Sequence, residues 1–121
     1  MLPDRLSQAA GMVNVVLFSQ PGCPFCDIVR RHYLEPLEAR RRPRLQVSEV
    51  ELNSVRTLVD FSGRQTTHEA FRRAHGVRFA PTVVFLGPTG KELAERIVGL
   101  SQDYFGAYLE SAIESALAAG S

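Results

Sequence analysis

Residues 12–18, Met-Val-Asn-Val-Val-Leu-Phe, form a short β-branched apolar run. A run of this kind suits a strand buried on both faces. Ser19-Gln20-Pro21-Gly22 ends it with turn residues. The pattern then predicts a helix from about Pro24, with Ile28, Val29 and Tyr33 as its apolar positions. Pro36 lies inside that pattern and lacks a backbone donor, so it should kink or divide the helix, with Leu37 leading a second segment towards Arg41. Leu45 to Leu52 alternates and predicts a second strand. Thr66 to His75 predicts a helix, because Thr66 and Glu69 have the capping-box spacing and Gly76 supplies a stop.

Pro81-Thr82-Val83-Val84-Phe85-Leu86 predicts another strand. Gly87-Pro88-Thr89-Gly90 should turn the chain into a partner strand near Leu93–Val98. Phe105, Tyr108, Leu109, Ala112, Ile113, Ala116 and Leu117 follow steps of three and four, which gives a terminal helix one apolar face. Ser101 is its expected N-cap. The order β-α-β-α-β-β-α predicts an α/β domain, a central mixed sheet flanked by helices.

With 121 residues the chain suits one domain, read here as residues 12–118 between an N-terminal leader, 1–11, and a tail, 119–121. Met1–Gly11 lacks a continuous apolar core, so it is not a complete signal peptide. Apolar and charged contents of 45% and 22% are those of an ordinary globular domain. A net charge of +1 gives no reason to expect nucleic acid or an anionic membrane as partner. No apolar stretch approaches the roughly 18 residues of a membrane span. Arg40, Arg41, Arg42 and Arg44 read as a solvated helix end, and a monomer is expected because the apolar positions are used up by the fold's own faces.

The two cysteines, Cys23 and Cys26, stand three apart where the turn meets the helix. Metal binding fits them poorly. Zinc takes three or four protein ligands, and His32, His68 and His75 do not have the spacing to complete a set, so no metal or other cofactor is expected. The histidines read as surface or capping groups. Redox chemistry fits better. Unpaired N–H groups and the dipole at a helix start favour a thiolate, and the thiolate is the attacking species. Cys26, one turn on, can reach the first sulfur, and Pro24 sits where its missing N–H is no loss. Cys23 is therefore the expected nucleophile and Cys26 the resolving thiol.

"RFAPTVVF", Arg78 to Phe85, adds a second signal. Pro81 at a strand start donates nothing to the ladder. A cis Ala80–Pro81 bond would turn backbone groups towards a substrate segment, whereas a trans bond would make it an ordinary strand-start proline.

Taken in order, the strand Val13–Phe18, Cys23-Pro24-Phe25-Cys26, Ala80-Pro81-Thr82, Gly90, Val98-Gly99 and the terminal helix resemble the thioredoxin superfamily. The resemblance covers about residues 12–118. It implies a thioredoxin fold with a cis-proline before the third core strand and thiol–disulfide exchange on protein disulfides. Its groove would be lined by Gly22, Pro24, Phe25, Ala80, Pro81 and Gly99. It also implies protein disulfide clients and an upstream thiol electron donor.

Cys-Pro-Phe-Cys is similar to glutaredoxins, but the tail resembles thioredoxins and the Gly-Gly-x-x-Asp glutathione motif is absent. A glutathione-fed reductase and a non-catalytic redox-sensing or client-binding module are the alternative readings. Gly22 stands where thioredoxins usually have tryptophan, and Leu17 where they have a buried aspartate. Glu51 on the neighbouring strand is the candidate to take over proton transfer, beside the reading of it as a surface glutamate. Phe25 is expected to face clients, and Phe79 to pack against or rim the groove. Aliphatic-Asp-Phe-Ser-Gly before the helix resembles the exported SoxW-like group, which implies a periplasmic reducing role; a cytoplasmic location is the other possibility the sequence leaves open. Pro24 and Phe25 predict a potential on the less reducing side of thioredoxin's value of about −270 mV.

Overall fold

A computed structural model describes residues 5–101 and 103–120 of the chain. The apolar run becomes β1, Val13–Ser19, and every one of its residues is buried. Pro24–Ile28 forms α1, and a wider π-helical stretch, Val29–Leu34, carries the chain into α2, Glu35–Ala39. Pro36 does divide the helix: the Glu35 N–H reaches back five residues to the Arg30 carbonyl, and the proline falls in the first turn of α2, where its missing donor costs little. Then come β2, Leu45–Glu51, and two short strands, β3, Thr57–Val59, and β4, Gln65–Thr67. They lead to α3, His68–Ala74, β5, Thr82–Leu86, β6, Glu92–Val98, and α4, Phe105–Ala119.

The main sheet has the order β2-β1-β5-β6, with β2 parallel to β1 and the other two neighbouring pairs antiparallel. This is the mixed sheet flanked by helices that the element order predicts. Alternation along β1 sends Val13, Val15 and Leu17 to one face, where they meet Val29, Leu34, Phe105 and Ile113. It sends Val16 and Phe18 to the other, where they meet Leu58, Phe71 and Val77. Among the described residues, no helix is long and apolar enough to cross a membrane.

Three local expectations need correction. The antiparallel hairpin of β3 and β4 is absent from the predicted order. Its turn is held by the Asp60 carboxylate, which accepts from the Ser62 and Arg64 N–H groups, with Gly63 at φ +79°. Because β4 runs on through Thr67 to pair with Thr57, the N-cap of α3 is Thr67, whose Oγ1 accepts from the Ala70 N–H at 3.1 Å, and not Thr66. At α4 the N-cap is Tyr104, without a side-chain bond, and Ser101 contributes its carbonyl to the Phe105 N–H instead.

The folded unit also reaches back beyond residue 12. Leu6 is buried among the residues under α3, and its N–H donates to the Val59 carbonyl at 3.1 Å. Asn14, the polar break in the first apolar run, explains this docking. Its carboxamide accepts from the Ser7 N–H at 2.8 Å and donates to the Ser7 and Leu86 carbonyls.

Candidate active site

β1 ends at Ser19, and the next residues turn into α1, so the cysteines sit at the C-terminal end of a central strand. Gly22 adopts φ +69° in this turn, a left-handed conformation that strains any residue with a Cβ, which accounts for glycine here. Cys23 is the N-cap of α1, and its Sγ accepts from the Cys26 N–H at 3.1 Å. The two cysteines are joined by a disulfide with their Cα atoms 5.2 Å apart. Their surroundings differ. Cys23 is partly exposed, and Cys26 is fully buried. Pro24 occupies the first turn of α1, as its missing donor allows.

The sheet brings the second sequence signal to the same end. Phe18 pairs with Thr82, so the Ala80–Pro81 bond, which is cis, lies just past the end of β5 that adjoins Ser19. Gly99, at φ +80°, donates its N–H to the Pro81 carbonyl at 2.8 Å, and Thr82 Oγ1 donates to the Phe79 carbonyl. Pro81 is buried and Ala80 half-buried. Phe25 and Phe79 are 53% and 67% exposed, unusually high for phenylalanine, so Phe79 does not pack into the core. Register thus gathers Gly22, Cys23, Pro24, Phe25, Ala80, Pro81 and Gly99 at one pole of the sheet.

A carboxylate does lie between the cysteine helix and β2, and it is Glu49, with Glu51 two residues further on at the strand's end. Glu51 is half-buried and uses its main-chain N–H to donate to Nδ1 of the buried His68. Glu49 is in register with Leu17. It accepts from Arg30 Nε at 2.7 Å, from Arg30 Nη2, and from Ser19 Oγ at 2.6 Å. Arg30 also holds Asp27, the residue after Cys26, at 2.6 Å. Burial pushes the Glu49 carboxyl up, but the Arg30 and Ser19 hydrogen bonds and the Arg30 charge outweigh it, so its pKa lies below the ordinary value of 4.5. The bonds to Glu49 above all raise the Arg30 pKa.

The signal for Glu49 was weak but present. It has the same strand parity as Glu51, and Arg30 lies on the facing helix pattern.

These features are matched by comparisons with known proteins. A family model described as a thioredoxin-like domain matches residues 6–113. The search of curated proteins gives no match. Among solved structures, the chain is similar to thioredoxin O2 from Arabidopsis thaliana in its oxidised state. That likeness has 18% identity and a TM-score of 0.58 over 86% of this chain and 74% of that one. It is similar to Fasciola hepatica thioredoxin at 23% identity and a TM-score of 0.60, over 87% and 81% of the two chains. A thioredoxin-fold protein from Helicobacter pylori gives 14% identity and a TM-score of 0.63, over 96% and 85%. At these identities the solved structures speak for the fold, and the family model spans most of the sequence. On that match the chain belongs to the thioredoxin-like domain family.

Proposed function

We propose that this protein is a thiol–disulfide oxidoreductase that reduces protein disulfides. The observation that carries the reading is the unequal placement of the two sulfurs. Cys23 Sγ is partly exposed and accepts a backbone N–H, an arrangement that favours a thiolate able to attack, whereas Cys26 is buried behind it. The Cys23 thiolate attacks one sulfur of a client disulfide, forms a mixed disulfide and expels the other client sulfur as a thiolate. Cys26, on losing its proton, attacks Cys23 Sγ and expels the second client thiolate. The client gains two electrons and the Cys23–Cys26 pair loses them. An upstream dithiol then returns the pair to its reduced form.

Gly22, Pro24, Phe25, Ala80, Pro81 and Gly99 would form the client groove, with Phe25 and Phe79 offering apolar contact. The resemblance of Asp60-Phe61-Ser62-Gly63 to the exported SoxW-like group is the support for reading the setting as periplasmic. The test is turnover of a disulfide-bonded protein such as insulin with a dithiol donor. Cys23→Ser should abolish turnover, and Cys26→Ser should trap the mixed disulfide. Equal turnover by wild type and Cys23→Ser would overturn the reading.

A further inference from the structure

We propose that the Asp27–Arg30–Glu49 ion-pair chain tunes how strongly the Cys23–Cys26 pair reduces, through its net charge. The proposal rests on the thiol–disulfide reading and adds a residue set that the cysteine chemistry alone does not identify. Arg30 bridges two carboxylates: Asp27, in the first turn of α1 directly after Cys26, and Glu49 on the strand beneath. One guanidinium between two carboxylates leaves one negative charge beside the helix turn that holds both sulfurs. Beyond the chain, the Arg56 charge also acts on Glu49, and Glu51, at the end of β2, and Arg78, in the loop before Pro81, are further charged groups at this pole.

The redox consequence follows from where the charge changes. In the disulfide neither sulfur is charged, while the reduced pair carries its charge as a thiolate. A net negative neighbour disfavours only the reduced form, so it makes the pair more reducing. Arg30 offsets part of that effect, since it is the cation bonded to both carboxylates. Arg30 and Glu49, 21% and 14% exposed, are shielded enough for the effect to survive solvent screening, whereas Asp27, on the helix surface, is screened more.

Two variants that break the same ion pair should therefore move the equilibrium in opposite directions, which a purely architectural role would not do. The measurement is the equilibrium of the Cys23–Cys26 couple against a glutathione or dithiothreitol buffer. Glu49→Gln should favour the reduced pair by about three- to tenfold, Asp27→Asn, being more exposed, should favour it by about two- to threefold, and Arg30→Gln should disfavour it by about three- to tenfold. The charge-swapped double variant Arg30→Glu/Glu49→Arg keeps the net charge and should stay within about twofold of wild type.

Shifts of one sign for all three single variants, or none larger than about twofold, would overturn the proposal. Should Arg30→Gln or Glu49→Gln fail to fold, Asp27→Asn decides the sign alone, because that side chain is 56% exposed. An unchanged or more reducing Asp27→Asn protein would refute the inference. The equilibrium constants can be read whether or not any client is reduced, so loss of the functional reading would show separately, as absent client turnover.

Discussion

The two ends of β1 carry the same burial and opposite chemistry. Asn14 near its start and Ser19 at its finish are both buried polar residues on one central strand. Asn14 spends its hydrogen bonds on neutral backbone groups, the Ser7 N–H and the Ser7 and Leu86 carbonyls. Ser19 donates to a carboxylate that Arg30 ties to the cysteine helix. A buried polar residue with backbone partners closes the fold, whereas one in a chain of charges next to a reactive sulfur can change chemistry as well. The partner separates the two roles; the degree of burial does not.

The largest effect is expected at the first end. Asn14→Ala strands the Ser7 N–H and two carbonyls and leaves a void against the N-terminal segment. It should cost about 3 kcal/mol in a urea melt. The cysteine equilibrium of the folded variant should stay within about twofold of wild type. A redox shift as large as that of Glu49→Gln would erase the contrast between the ends.

Glu49→Gln comes next, at about 1–2 kcal/mol near neutral pH, discounted for the pair's partial exposure. Its pH dependence has a definite sign. The folded-state pKa of Glu49 is lowered from 4.5, so its contribution is fully present above that value and is lost as pH falls through the folded pKa. The stability gap between wild type and Glu49→Gln should therefore narrow from pH 6 towards pH 3. A gap that stays constant would mean that the carboxylate's charge plays no part.

How far the two ends were legible in the sequence follows the range of the interactions that build them. The cysteine turn, the apolar strands and the terminal helix are written in neighbouring residues, and Cys23, Cys26, Pro81 and Gly99 come from local motifs. The β3–β4 hairpin was not legible. Its strands have three residues each, too few for a clear alternation, and β3 gains a further neighbour only when the segment around Leu6 returns to Val59. The choice between Glu49 and Glu51 was equally hidden. Both have the parity that faces the helices, and only the parallel register with Leu17 and the wide turn after α1 put Arg30 over Glu49. The role of Asn14 was not legible either, because its partner, Ser7, lies in the segment before β1.

The smallest effect should come from Ser19→Ala, and it probes the second end most finely. The hydroxyl gives Glu49 one bond of 2.6 Å, but the Arg30 guanidinium remains on both carboxylate oxygens after the substitution. The alanine leaves no buried donor unpaired on its own side, and the carboxylate keeps its charge. A loss of about 1 kcal/mol follows from one charged hydrogen bond with its partner otherwise satisfied. Because the net charge of the Asp27–Arg30–Glu49 chain is untouched, the cysteine equilibrium should move by less than about twofold. Denaturant melts and a glutathione titration on the same preparation measure both quantities. A loss as large as that of Asn14→Ala would show that Ser19 is an architectural residue like its counterpart, with the charges merely nearby.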